Sequence, residues 1–144
     1  MYIRKATLQD IENIATLEEA TFSVPWSREA IEKDLSNPVA TYFVAEENES
    51  IVGYVGVWCV LDEGQITNVA VHKNYRQQGI GHQLIQTLIA YAKEKALMML
   101  LLEVRESNEA AKKLYQSCQF ESIAKRKNYY TKPVEDACVM QLDL

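Results

Sequence analysis

The chain is poor in the residues that covalent staples and basic interfaces need. Its 3 cysteines, Cys59, Cys118 and Cys138, are an odd, widely spaced set without a CxxC or Cys/His cluster. Neither a disulfide framework nor a metal site is expected. The 2 histidines, His72 and His82, offer no cysteine an identifiable partner in the sequence, so all three thiols read as reduced groups of a cytoplasmic protein. With 5 Gly and 3 Pro in 144 residues, collagen-like repeats and low-complexity linkers are excluded. Basic charge is also lacking: 15 Lys and Arg against 20 Asp and Glu give a net charge of −5. That argues against a general nucleic-acid binder and leaves open a basic peptide or amine as partner. The longest apolar run, Ala96 to Leu102 between Lys95 and Glu103, falls far short of the roughly 20 residues a membrane span needs. The first residues, Met1-Tyr2-Ile3-Arg4-Lys5, carry no apolar signal core.

What is present is core-forming material, 48% hydrophobic and 24% charged. A chain of this mass folds to roughly 7,500 Å² of accessible surface, from about 24,000 Å² unfolded. One domain over residues 1–144 is therefore expected, with no need of a staple.

The patterning is mixed. Ile3 to Ala6 reads as a short strand. Thr7 and Asp10 make a capping-box-like start to a helix in which Ile11, Ile14, Ala15 and Glu18 follow helical spacing, with the charge expected outward. Ser27 caps a second helix that stops before Asn37-Pro38. Thr41 to Ala45 and Ile51 to Val60 are strands across a polar turn, and Gln65 to Val71 is another. Leu84, Ile85, Leu88, Ile89 and Ala92 form one apolar helical stripe. Leu97 to Val104 reads as a strand covered on both faces. Asn108 to Cys118 is a helix with Asn108 at its N-cap, and Phe120 to Lys127 and Asp136 to Leu144 are closing strands. Strand, helix and strand in Gln65 to Val104 form a βαβ unit, so its two strands should be parallel. The class is α/β or α+β with a mixed sheet.

The most informative stretch is Val69-Ala70-Val71, followed by Arg76-Gln77-Gln78-Gly79-Ile80-Gly81-His82. A buried strand ends, a glycine-bearing loop turns, and an amphipathic helix begins. Glycines let a backbone turn sharply and let a ligand approach its N–H groups. The first turn of a helix carries unpaired donors and a positive dipole end, which together suit a pyrophosphate. No Gly-Lys-Ser/Thr follows, so this is not a nucleotide P-loop, and Leu84 stands where a Rossmann fingerprint needs its third glycine. Two glycines alone are equally at home in an ordinary strand-to-helix turn.

Arg76-Gln77-Gln78-Gly79-Ile80-Gly81 resembles the (Gln/Arg)-x-x-Gly-x-(Gly/Ala) motif of the GCN5-related N-acetyltransferases, the GNAT family. The resemblance runs along essentially the whole chain. Phe22 to Ser27, Ile66 to Val71, Leu102 to Asn108, Leu114-Tyr115 and Asn128-Tyr129-Tyr130 resemble the branch of that family that acetylates the N-terminal alanine of a ribosomal protein. One residue departs from the pattern: Gln119 stands where the family usually has glycine, so it must either adopt a left-handed conformation at a cost of about 1 kcal/mol or end its helix differently.

The resemblance implies a GNAT fold, with a mixed sheet of about seven strands splayed at its middle and about four flanking helices. It implies acetyl-CoA as cosubstrate, without a metal, lying between the strands Ile66 to Val71 and Leu97 to Val104. Backbone groups of Val69, Ala70 and Val71 would contact the pantetheine. Arg76 and the N–H groups of Gln77, Gln78, Gly79, Ile80, Gly81 and His82 would take the pyrophosphate. Asn108 resembles the family's side-chain cofactor contact, and a helix N-cap is its other reading. Glu103, desolvated at a strand end, would accept the amine's proton. Tyr115, two helical turns after Asn108, would protonate the departing thiolate. Direct attack in a ternary complex follows, with no acyl-cysteine. Phe22, Trp26, Tyr129 and Tyr130 are candidates for a peptide-binding rim, and packing the core is the alternative for Trp26 and Tyr130. The implied partner is the N-terminus of a ribosomal protein, specifically the N-terminal alanine of small-subunit ribosomal protein eighteen. Acidic turns at Glu46, Glu47 and Glu49 and at Asp62 and Glu63 offer charge complementarity, although such turns are commonly only solvated. Lys125-Arg126-Lys127 reads as an exposed strand edge. Two further readings stay open: the same fold acting on another amine (a small molecule, an antibiotic or a lysine side chain), and a non-catalytic acyl-CoA-binding module.

Overall fold

The computed structural model describes all residues 1–144. In chain order the elements are β1 (Tyr2–Lys5), α1 (Ile11–Thr21), α2 (Arg28–Leu35), β2 (Ala40–Glu47), β3 (Ser50–Val60), β4 (Glu63–Val71), α3 (Ile80–Glu94), β5 (Met99–Arg105), α4 (Glu109–Ser117), β6 (Glu121–Thr131) and β7 (Val134–Asp143). The strands form one 7-stranded sheet in the order β1-β2-β3-β4-β5-β7-β6. Every neighbouring pair is antiparallel except β4 and β5, the parallel pair of the βαβ unit. No helix is long and apolar enough to cross a membrane.

Two helical layers cover the sheet. On one face, the Leu84, Ile85, Leu88, Ile89 and Ala92 stripe of α3 joins Tyr115 of α4 over inward residues of β2, β3, β5 and β7 in a core of 21 buried residues. On the other face, α1 and α2 pack Ile11, Ile14, Leu17 and Ile31 against Tyr42, Val44 and Tyr54. This second layer involves β2 to β4. Along β5, Leu100, Leu102 and Val104 are buried, while Met99, Leu101, Glu103 and Arg105 are only half-buried. Burial on both faces, expected from the apolar run, is thus corrected. The second face of β5 borders open space, and Glu103 stands on it.

Local chemistry sets the ends of several elements. Thr7 and Asp10 form a complete capping box, and Arg4 clamps Asp10 with two hydrogen bonds of 2.8 and 2.9 Å. Ser27 caps α2 by accepting from Ala30 N–H at 3.1 Å. Gln119 takes the left-handed conformation, with φ 74°. Its N–H bonds Gln116 O and the Phe120 N–H bonds Tyr115 O, each at 3.0 Å, which is a full Schellman ending. The Phe120 and Tyr115 rings add the apolar contact that accompanies that ending, at 5.9 Å between centroids. The accessible area is 8410 Å². It exceeds the compact-chain expectation, and edge strand β6 is exposed along nearly its whole length.

Candidate active site

The parallel ladder between β4 and β5 holds for three residue pairs: Glu63 with Met99, Gly64 with Leu100 and Gln65 with Leu101. Beyond Gln65 the strands part. The cause lies on the other side of β4. Opposite β3, Gly56 faces Asn68 and Val57 faces Ile66, so Thr67 is an extra residue. Such a bulge bends its strand and increases its twist. Gly56 makes the bulge possible, because a Cβ there would meet Thr67 Oγ1 and the Tyr42 ring at 2.9 Å.

The fork opens into a cavity of about 760 Å³. Glu103, Tyr115, Asn108 and Val69 line it, as do all four aromatic candidates: Phe22, Trp26, Tyr129 and Tyr130. The sequence scatters these residues over the α1–α2 loop, β4, β5, α4 with its N-cap, and β6, and the fold brings them to one wall system. Ala70 and Val71 and the Arg76 to His82 loop lie outside this cavity's lining, at the end of β4 and the start of α3.

That loop offers unpaired backbone donors. Gln77 and Gly79 both have positive φ, 62° and 80°. No protein acceptor meets the N–H groups of Gln77 to His82, and no side chain caps α3. Unpaired donors at a helix start, facing open space, are what a pyrophosphate requires. The two glycines do different work. Gly79 supplies the left-handed turn, with nothing within 4 Å of a would-be Cβ. Gly81 supplies clearance for α4, since its Cβ would lie 3.1 Å from Leu114 Cδ2. The Arg76 Nε donates to the Val71 carbonyl at 3.1 Å, so that carbonyl already has a partner. The Val69 N–H is held by Asn68 Oδ1 at 3.1 Å. Asn108 is the N-cap of α4 through Oδ1, which accepts from Ala111 N–H at 3.1 Å. The capping residue also lines the cavity.

At the fork, Glu103 accepts a hydrogen bond from Gln65 Nε2 at 3.1 Å and pairs with Arg126 Nε at 3.4 Å. Its side chain is 18% exposed. The Arg126 guanidinium also stands over the Tyr129 ring, 5.7 Å from its centroid. The basic run on β6 is therefore not only an exposed edge; its middle residue reaches the site. Tyr115 is 7% exposed, and burial pushes its phenol well above the ordinary range. It stays protonated throughout the neutral range. Burial pushes Tyr130 up to about 12. No cysteine lines the cavity. Cys118 does have a histidine neighbour, with Sγ 3.5 Å from His82 Nδ1, but the thiol is buried and its pKa raised by that burial, the opposite of what a nucleophile needs. No group of three or more His, Cys, Asp and Glu is placed to hold a metal ion.

Three cavity residues escaped the sequence reading. Glu18, expected to face outward, has no exposed surface. One carboxylate oxygen accepts from the Tyr54 hydroxyl and from Asn68 Nδ2, and the other from the Trp26 N–H at 3.3 Å. Desolvation raises its pKa against the pull of those bonds. Its position in the Ile11, Ile14, Ala15 spacing was the available signal: a charge on the apolar stripe points inward. Asn68 flanks the bulge at Thr67 and touches both Glu18 and Val69. Arg105 stacks on Tyr130 at 4.3 Å and holds the carbonyls of Lys132 and Pro133 at 3.2 and 3.0 Å, fixing the β6–β7 turn beside the cavity. The acidic turns lie elsewhere: neither lines the cavity, and Glu46 is neutralised by Arg4 at 2.9 Å.

Comparison with known proteins agrees with this architecture. Residues 11–120 match the model of the acetyltransferase (GNAT) family. The ribosomal protein bS18-alanine N-acetyltransferase of Haemophilus ducreyi is 36% identical, over 94% of this chain and 95% of its own. Its Escherichia coli K12 counterpart is 35% identical, over 89% and 87%. The crystal structure of the Escherichia coli ribosomal-protein-S18-alanine N-acetyltransferase superposes with a TM-score of 0.92, covering 99% of this chain and 92% of that one at 31% identity. The forked sheet, the uncapped glycine turn and these matches have one explanation: the chain belongs to the GNAT family of acetyltransferases.

Proposed function

We propose that the chain is a cytoplasmic enzyme that moves the acetyl group of acetyl-CoA onto the N-terminal α-amine of a ribosomal protein, the N-terminal alanine of bS18, by direct attack in a ternary complex. The single observation that carries this is the fork between β4 and β5, which sets a carboxylate, a protonated phenol and an aromatic rim around one cavity. Acetyl-CoA supplies the activated acyl group, and the family uses that donor.

Each residue then has a physical task. The unpaired amides of Gln77 to His82, with Arg76 beside them, hold the diphosphate. Amide and carbonyl groups of Val69 and Val71, which face away from β3 and have no β5 partner past the fork, hold the pantetheine arm and polarise the thioester oxygen, while those of Ala70 face Tyr54 in the β3 ladder. Reaching the Val69 N–H requires Asn68 Oδ1 to yield it. Asn108 contacts the arm while capping α4. Glu103 takes a proton from the incoming ammonium, directly or through one water, because only the neutral amine attacks. Its tie to Arg126 places a cation where the acceptor's own charge would arrive. Tyr115 gives a proton to the thiolate as it leaves, and the second proton shed by the nitrogen as the amide forms restores the phenol. Phe22, Trp26, Tyr129 and Tyr130 close around the acceptor's first residues, excluding water and holding the amine in line. No metal, nucleic acid or membrane contact is required.

The names of the Haemophilus and Escherichia coli relatives support this acceptor. The test is mass spectrometry of a basic peptide beginning with the bS18 alanine, incubated with enzyme and acetyl-CoA. One added acetyl group on the α-amine, lost in Glu103→Gln, is expected. Acetylation of a lysine side chain or of small amines alone would transfer the assignment to another acceptor.

A further inference from the structure

Phe22 to Trp26 join α1 to α2, and Phe22, Ser23, Val24 and Trp26 line the cavity. Ser23, Val24 and Pro25 are exposed, and Phe22 and Trp26 are only partly buried against the smaller core. A loop so placed needs a tether. The Trp26 N–H donates to a carboxylate oxygen of Glu18 at 3.3 Å. The other oxygen of that carboxylate receives Tyr54 from β3 and Asn68 from the bulge of β4. Asn68 in turn donates to the Tyr54 oxygen at 2.7 Å and accepts the Val69 N–H at 3.1 Å. One side chain of α1 thus meets the acceptor-side loop with one oxygen and the donor-side strand with the other.

We propose that Glu18 is a positioning residue for acetyl transfer, locking the Phe22–Trp26 loop to the bulge of β4 so that the acceptor amine is held at a fixed distance from the thioester. This rests on the acetyl-transfer reading above. Three donors converge on the group, and a carboxylate can accept from all of them, whereas an amide of the same shape has one acceptor oxygen and presents an N–H₂ where the others need lone pairs. A fully buried carboxylate is expensive unless it is bonded in this way. β4 is also held by its ladder with β3, while the loop relies on this bond and on its two aromatic anchors. Loss of the carboxylate therefore falls chiefly on the acceptor side.

The test is Glu18→Gln, assayed with the alanine peptide and acetyl-CoA varied in turn. The KM for peptide should rise about tenfold to a hundredfold, the value of a lost charge-assisted hydrogen bond, while the KM for acetyl-CoA moves less than about threefold. Equal movement of both, or of neither, overturns the proposal. A second readout is independent of the acceptor. With Trp58→Phe as background, Trp26 is the remaining tryptophan of the 2, and acrylamide quenching of its fluorescence should increase with Glu18→Gln; unchanged quenching overturns the tether. If wild-type enzyme leaves the peptide unmodified, the acceptor assignment fails, and quenching alone decides the tether. Should Glu18→Gln not fold, Tyr54→Phe removes one donor from the carboxylate without touching the loop. It should shift peptide KM and quenching in the same direction by less, and no shift overturns the proposal.

Discussion

Replacing Tyr115 by Phe separates a proton donor from a packing residue. The ring is buried and meets Phe120 at 5.9 Å, and Phe preserves that contact. The phenol makes no hydrogen bond within the protein, and the residue lines the cavity. Removing an oxygen with no protein partner changes stability by about 0.5 kcal/mol or less, or about 2 °C in Tm for a chain of this size. General acid catalysis contributes about 10²- to 10⁴-fold, equivalent to about 3 to 5 kcal/mol of barrier. The expected variant is therefore folded, binds acetyl-CoA normally and turns over at least a hundredfold more slowly. Steady-state CoA release, with a thermal melt of the same sample, measures both quantities. Because burial raises this phenol's pKa, the acid stays protonated from pH 6 to beyond pH 9, and Tyr115 should impose no alkaline limb on the wild-type rate there. Unchanged kcat would refute the proton-donor role. So would a loss of rate matched by a collapse in Tm, which would make Tyr115 a core tyrosine.

Gln119→Gly should raise stability: the left-handed conformation costs a side chain about 1 to 2 kcal/mol, glycine's looser unfolded state takes back about 0.5 to 1, and the net gain, about 0.7 kcal/mol at mid-range, would appear as a higher urea midpoint at constant m. A lower midpoint would contradict it. Gly79→Ala meets no steric obstacle but must hold φ 80°, so it should cost about 1 kcal/mol of stability and raise the KM for acetyl-CoA about tenfold; an unaltered KM would detach the turn from donor binding. Burial raises the pKa of Tyr42, Tyr54, Tyr115 and Tyr130. Unfolded phenols lose their protons near pH 10, so this stabilisation is complete below pH 10 and is lost as pH climbs toward 12, where Tyr130 titrates. The unfolding free energy, read from the urea midpoint at constant m, should fall from pH 10 upward by as much as about 1.4 kcal/mol per pH unit for each tyrosine, and a flat profile would contradict it.

Much of the fold could be read from the chain because periodicity and caps are local. The α3 stripe, the Thr7–Asp10 box, the Ser27 and Asn108 caps and the parallel pair all lie where the sequence puts them. Gln119 was legible as a problem, and the structure supplies its resolution, a left-handed Schellman ending. What escaped depends on residues distant in sequence. The bulge at Thr67 exists because Gly56, on another strand, leaves room for it, and no pattern within β4 announces it. Glu18 was assigned to solvent by its charge although its spacing placed it on the buried stripe, and the partners that make that burial tolerable come from β3, β4 and the α1–α2 loop. The β5 run looked two-sided because its residues are apolar, yet α1 and α2 do not extend over it, which is what leaves Glu103 at an open face.

The central claim is that the acyl donor lies in the gap where β4 leaves β5, its diphosphate on the amides that open α3. Titrating acetyl-CoA into ¹⁵N-labelled protein tests it directly. The account predicts that the largest backbone amide shifts fall on Gln77 to His82 and on Val69 to Val71, with saturation. Saturable shifts elsewhere that leave both sets unmoved would contradict it.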